Sequence, residues 1–369
     1  MKIIHVTWTA ENYGIGTFLY NLLENQVNTY KNTKVAIAFH NKGPKLDQYY
    51  NLNLKVYNLE VDTAKDAKLF SVFREIFKNY DIVNLHGMYV WAFLAALKEN
   101  KKVVYTFHGA LGLRRVMGIP ITFIFMKYIF SKKCHYFTFA SQAALKHFQD
   151  NLKINLRYSS NYKIFPYGLS INKIQATKNK EVIVKQLGIE GKFIIGTAIR
   201  LVQYKRPELL INAFSKMLSK KNSCLILMGK GIQSYEEDLK SLVKELDLCN
   251  EVLFLGFRSD VIDIINVLDV FVLPSRREPF GLALLEAMAL GIPSIVFKDS
   301  GGAKDIIGDA GFVVENVDEL AATLEHLNNN ANLRKKLQHN VRFRSRQFDI
   351  SGTSENLLKI YNSLYLLGR

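Results

Sequence analysis

Along the chain, short apolar runs alternate with segments whose apolar residues recur every three or four positions. Runs of strand length, rich in β-branched and aromatic residues, lie at 2–8 (KIIHVTW), 34–39 (KVAIAF), 81–86 (DIVNLH), 102–108 (KVVYTFH) and 134–140 (CHYFTFA). Helix-period segments separate them, GTFLYNLLENQ being the first. The alternation pauses at Pro166 and Gly168 within NYKIFPYGLSINK (161–173), where a solvated, Lys- and Asn-rich stretch follows. It restarts with KFIIGTAI (192–199), SCLILMG (223–229), EVLFLG (251–256), DVFVLPS (269–275) and PSIVF (293–297). The pattern predicts an α/β protein of two doubly wound domains, each a parallel sheet with helices on both faces, divided at 1–168 and 169–350.

Composition and charge narrow the setting. The 369 residues, 49% hydrophobic and 22% charged, hold enough apolar mass for two cores. Cys134, Cys224 and Cys249 are odd in number and lack CxxC spacing, so they read as reduced thiols. The apolar run in MKIIHVTW is too short for a secretion signal, and no run of about 18 apolar residues exists. A cytoplasmic setting is expected. The net charge of +16 is uneven: residues 1–168 carry 22 Lys and Arg against 10 Asp and Glu, while the remainder carry 27 against 23. A basic first half suits an anionic partner such as nucleic acid, a phosphorylated substrate or anionic lipid. Within it, RRVMGIPITFIFMKYIFSKK (114–133) flanks an aromatic-rich stretch with bases, a pattern shared by interfacial elements and by plain buried helices.

Open α/β sheets bind ligands at the C-terminal ends of their strands. The loops there carry Asn12 to Gly16, His86 and Gly87, His108 and Gly109, Arg200 to Lys205, Gly229 to Gly231, Gly256 to Arg258, and Ser275 to Gly281. Arg200 and Lys205, in IRLVQYKRPELL, suit an anion: one offers a fork of donors, the other a point charge. In SRREPFGLALLEAMALGIPSI, Glu286 stands alone in an apolar run that predicts a helix buried on nearly every face. A buried carboxylate needs a partner, either distant in sequence or a ligand, and the vicinal diol of a sugar fits its two oxygens. Glycine at 281 lets a ligand approach a helix start with free N–H groups. His86 reads as a core histidine, and RKKLQHNVRFRSR (334–346) as a solvated helix face.

The E-x7-E spacing of Glu278 and Glu286 in EPFGLALLEAMALGIPSIV, with RLVQYK upstream and GGAKDIIGDAGFVV downstream, resembles the retaining glycosyltransferases of family GT4. The likeness is strong over the second half and looser in NYGIGTFLYNLL and VVYTFHGAL of the first. It implies a GT-B fold, two Rossmann-like domains facing across a cleft, with the terminal FDISGTSENLLKIYNSLYLL (helix within 351–369) crossing back to the first. It implies a nucleotide-diphosphate sugar as donor, with UDP favoured over GDP, and no cofactor or metal. Arg200 and Lys205 would hold the diphosphate. Glu278 and the backbone of Phe280, Gly281 and Leu282 would hold sugar and phosphate, and Glu286 the ribose. Phe257 and Arg258 would border the base, and Gly16 the diphosphate or acceptor. His108 would meet the donor sugar, so that Glu278 and His108 are the expected catalytic pair. Two positions depart from the pattern: Pro279 replaces a glycine, and Asp305 in GGAKD a longer acid. The acceptor implied is a hydroxyl of a growing, lipid-diphosphate-linked glycan of the cell surface, met at an anionic inner membrane face.

A nicotinamide dehydrogenase fits poorly, since YGIGTFLYN lacks the third glycine and the second strand ends at His40 instead of an acid. An epimerase of nucleotide sugars shares the architecture and stays open. A nucleic-acid binder would explain the charge but leave Glu278 and Glu286 without a purpose.

Overall fold

The computed structural model describes residues 1–10, 14–63, 66–109, 129–152, 156 and 161–367. The chain forms two compact units, Met1–Leu169 with Ile350–Arg369, and Ser170–Asp349.

In the first unit seven strands form a parallel sheet: β1 (Lys2–Thr9), β2 (Lys34–Asn41), β3 (Lys55–Asn58), β4 (Ile82–Leu85), β5 (Lys102–Phe107), β6 (Tyr136–Phe139) and β7 (Tyr162–Ile164). Their order is β3-β2-β1-β4-β5-β6-β7, so the direction of winding reverses beside β1. β1 pairs with β2 through Lys2 opposite Lys34 and with β4 through Ile3 opposite Ile82. The central strands are covered on both faces, which is why they read as continuous apolar runs. On one face Phe93, Tyr105, Phe130, Phe137 and Phe148 share a single core cluster. Phe130 belongs to the 114–133 segment, whose residues up to 128 lie outside the described part. The last helix, Ile350–Leu366, packs in this unit: Tyr361 is fully buried, and Asn84 Nδ2 donates to its hydroxyl at 2.6 Å.

The second unit holds β8 (Phe193–Ala198), β9 (Ser223–Met228), β10 (Val252–Gly256), β11 (Val270–Leu273), β12 (Ser294–Phe297) and β13 (Phe312–Val314), all parallel, in the order β10-β9-β8-β11-β12-β13. Winding reverses beside β8. The sequence pattern did not reveal β3, β7 or β13. All three are edge strands of three or four residues, mostly half-buried, and carry little of the apolar signal that marks a central strand.

The 334–346 run is exposed along much of its length, as expected, yet three of its arginines turn inward to the ends of other helices. Arg334 caps the helix Val317–Asn329 through the carbonyls of Leu327 and Asn328. Arg344 donates to Ile306 O at 3.1 Å and Asp305 O at 2.9 Å, at the end of the helix Gly302–Ile307. Arg342 Nη2 donates to Leu290 O at 2.7 Å, closing the helix Leu282–Ala289. That helix ends in a left-handed turn at Gly291 (φ 80°), with Ile292 N–H on Ala287 O and Gly291 N–H on Met288 O, both at 2.9 Å. A cation beside these last carbonyls opposes the negative end of the helix dipole. Arg342→Met keeps the apolar stem and removes the cap. It should lower stability by about 1 kcal/mol in urea unfolding. A change below about 0.5 kcal/mol would make Arg342 ordinary surface.

Candidate active site

Where the winding of the second sheet reverses, the loops after β8 and β11 diverge and open a crevice. The sequence-selected cations and acids meet there. Lys205 Nζ hydrogen-bonds Glu278 Oε2, joining the two loops, and both side chains are mostly enclosed (13% and 12% exposed). Arg200 Nη2 donates to the Tyr204 hydroxyl at 2.7 Å, and Lys205 lies 5.3 Å over the Tyr204 ring. Glu278 is fixed through its backbone: its N–H donates to Ser300 O and its carbonyl accepts from Gly302 N–H, both at 2.8 Å.

The loop is braced by residues that the sequence pattern did not single out. Arg206 closes a two-toothed bond on Asp299 (2.9 and 2.6 Å), donates from Nε to Pro274 O at 2.8 Å, and lies 5.0 Å from the Phe297 ring. Arg277 N–H donates to Asp299 O at 3.0 Å. The three loops after β8, β11 and β12 are thus tied through one guanidinium. Its adjacent proline was the only local clue: Pro207 opens the helix Pro207–Lys216, which leaves Arg206 at φ 52° just before it.

The helix Leu282–Ala289 starts at Gly281, whose φ of 107° suits glycine alone. Its first-turn N–H groups face the same strand ends. Phe280 is buried and meets Phe348 edge-on at 6.0 Å. The expectation that this helix is buried on nearly every face needs correction. Leu284, Leu285, Ala287 and Met288 are buried, whereas Leu282, Ala283, Glu286 and Ala289 are half-buried. These four recur at helical spacing and form one stripe, and Glu286 sits on it with access to solvent. Its position therefore does not require a charge sealed in the core.

Phe257 is 40% exposed at the end of β10. Arg258 beside it closes its fork on Asp260 (2.8 Å at both teeth), and Asp260 also takes Lys178 at 2.8 Å. Arg258 is therefore a strut of its own loop. Among the described residues no three His, Cys, Asp or Glu side chains are grouped as a metal site.

In the first unit, Gly16 lies in the first turn of the helix Gly14–Thr29, not in the expected loop, and its carbonyl accepts from the Tyr49 hydroxyl at 2.9 Å. His108, after β5, joins His86, which reads from the sequence as a core histidine, and His5, which the sequence pattern did not single out. His108 Nε2 lies 2.8 Å from His86 Nδ1, His86 Nε2 lies 2.8 Å from His5 Nδ1, and His5 Nε2 lies 3.2 Å from Gln26 Oε1. His5 and His86 are buried, while His108 is half-buried. Burial holds His5 down to about 4 and His108 to about 3, and burial with two neighbouring imidazoles holds His86 well below its usual value. The signal in the sequence was a histidine in the middle of β1 and one just after each of β4 and β5, strands that are neighbours only once the sheet order is known.

These histidines are neutral in the folded chain and protonate at about 6.5 when unfolded. Their contribution to stability is complete above 6.5 and is lost as pH falls toward 4. Each costs up to about 1.4 kcal/mol per pH unit in that window. Urea midpoints should therefore drop steeply between about pH 7 and pH 5. Equal midpoints would mean that the histidines are already charged in the fold.

Comparison with known proteins now adds to this geometry. The family described as "Glycosyl transferases group 1" matches residues 179–344, and that described as "Glycosyltransferase Family 4" matches residues 13–158. The capsular polysaccharide biosynthesis glycosyltransferase CapM of Staphylococcus aureus is 27% identical over 348 residues, 90% of either chain. The UDP-Gal:alpha-D-GlcNAc-diphosphoundecaprenol alpha-1,3-galactosyltransferase of Escherichia coli is 29% identical over 65% of this chain and 64% of its own. The crystal structure of Anabaena Alr3699/HepE in complex with UDP and glucose superposes with a TM-score of 0.83 at 20% identity, covering 98% of this chain and 100% of that one. Two parallel sheets wound about β1 and β8, with one half matched by each of these two families, make this chain a glycosyltransferase with the GT-B fold.

Proposed function

We propose that the chain is a retaining transferase that moves a sugar from a UDP-sugar to a hydroxyl of a lipid-diphosphate-linked glycan in cell-surface polysaccharide assembly. The carrying observation is the pairing of Lys205 with Glu278 across the reversal point of the second sheet, with Arg200 in the same loop. Two cations and a carboxylate gathered in these loops suit a phosphorylated sugar. Arg200, Lys205 and the helix start at Gly281 neutralise the departing diphosphate without a metal. Glu278 holds sugar hydroxyls, Glu286 the ribose diol and Phe257 the base. His108 of the first unit reads a hydroxyl of the transferred sugar.

The relatives support the choice of substrates. The printed name of the E. coli protein gives a UDP-sugar donor, a diphosphoundecaprenol acceptor and an α-linkage, and the Anabaena structure holds UDP and glucose. The net charge of +12 over residues 1–168 favours an anionic membrane face as the place of reaction. Among the described residues no helix is long and apolar enough to cross a membrane.

The position of the carboxylates supports retention. An inverting reaction needs a base behind the anomeric carbon, within reach of the acceptor hydroxyl. Glu278 and Glu286 belong to the donor's own surface, so the acceptor attacks from the leaving group's side and the departing phosphate oxygen takes its proton.

Glu278 and the donor diphosphate compete for Lys205. Glu278→Gln should leave UDP affinity unchanged or up to about tenfold tighter while turnover falls by about a hundredfold. Weaker UDP binding with normal turnover would reverse these assignments. The reading as a whole is tested by incubating the protein with UDP- and GDP-sugars, with and without undecaprenyl-diphosphate-linked acceptors and chelator. An α-linked product from an α-donor, resistant to chelator, is expected by NMR. A β-linked product would overturn retention, sugar conversion without acceptor would make the protein an epimerase, and loss of activity restored by Mn²⁺ would overturn the metal-free scheme.

A further inference from the structure

The reaction proposed above uses one histidine, yet the first unit stacks three. The rings of His5 and His86, and of His86 and His108, lie 5.1 Å apart at 21° and 29°, with their nitrogens paired. A neutral imidazole has one N–H and one lone pair, so a row of neutral rings joined nitrogen to nitrogen must be polarised in a single direction. Burial keeps all three rings neutral. The direction is set at the closed end of the row. Gln26, on the helix Gly14–Thr29, turns its carbonyl oxygen to His5 Nε2 at 3.2 Å. An amide oxygen can only accept, so His5 carries its proton on Nε2 and accepts at Nδ1. His86 then donates from Nε2 and accepts at Nδ1, and His108 donates from Nε2.

The open end of the row is His108. Its ring is boxed by Phe18 edge-on at 5.2 Å and by Tyr167 at 5.3 Å, which holds its orientation. We propose that Gln26, His5 and His86 act as positioning residues that fix the tautomer of His108, so that it presents the Nδ1 lone pair to a hydroxyl of its substrate. This rests on the reading that His108 meets the transferred sugar. It implies that the sugar hydroxyl concerned is a donor, so that fluorine in its place, which accepts but does not donate, is selected against.

The test is ¹⁵N NMR of histidine-labelled full-length protein at neutral pH without substrate, together with steady-state kinetics. In the wild type His108 should be neutral with its proton on Nε2. Gln26→Leu frees the closed end and His86→Phe removes the acceptor of His108. Each should mix the two tautomers of His108 and lower kcat by about ten- to a hundredfold with little change in KM for the UDP-sugar. Either variant suffices if the other fails to fold. His108 protonated on Nδ1 in the wild type would overturn the proposal outright, as would a tautomer and kcat unchanged in a folded variant. The expected tautomer together with normal transfer by His108→Ala would leave the row standing but remove its substrate, and with it the role given to His108 above. Among deoxyfluoro UDP-sugars, one position should lose about tenfold or more in kcat/KM in the wild type and not in His108→Ala; equal losses in both would overturn the acceptor role.

Discussion

Parallel pairing governs this molecule. Every strand pair in both sheets runs the same way, so all strand ends of one polarity collect along one edge of each sheet. Helices must return the chain between strands, and their N-termini collect along that same edge. A sheet wound in one direction would close its edge with successive crossovers. Winding outward both ways from β1 and from β8 leaves one crevice in each, and the chemistry-bearing residues stand around it. Arg200 and Lys205 come from the strand where winding begins, Glu278 from its neighbour across the reversal.

The second crevice is held by charge, braced from behind. Lys205 and Glu278 lose much of their hydration together, which makes the pair costly to leave half-made and open to exchange for a ligand anion. Arg206 and Asp299 perform a different task. Their paired bonds join the loops after β8 and β12 and keep the backbone of Glu278 in register with Ser300 and Gly302. An exposed strand-end loop has no core of its own to hold it, and a guanidinium with five donors substitutes for one. The arginines of the 334–346 run follow the same logic at the far ends of the helices.

The first unit relies on neutral polar groups instead. Three imidazoles and the Gln26 amide are bonded in a row, and the Tyr361 phenol, bonded to Asn84, lies edge-on to His5 at 6.3 Å. Such a network is stable only when its members stay uncharged and fully paired. It also links the final helix, through Tyr361, to residues near the open strand ends.

By itself the sequence determined the fold class, the two sheets, their central strands and the strand-end loops that carry the charged residues. These rest on local signals: apolar runs of strand length, helical periods, glycines and the spacing of Glu278 from Glu286 survive without knowledge of neighbours. Short edge strands such as Lys55–Asn58 lack that signal because half their surface is wet. Only the tertiary structure decided the partners of the charged and polar groups. Arg258 binds Asp260, Lys205 binds Glu278 seventy-three residues away, and His5 meets His86 across eighty-one. It also decided which stripe of the Glu286 helix stays wet. The physical reason is the same in each case: a hydrogen bond depends on atoms within about 3 Å, and sequence distance does not encode which strand ends the sheet order will bring together.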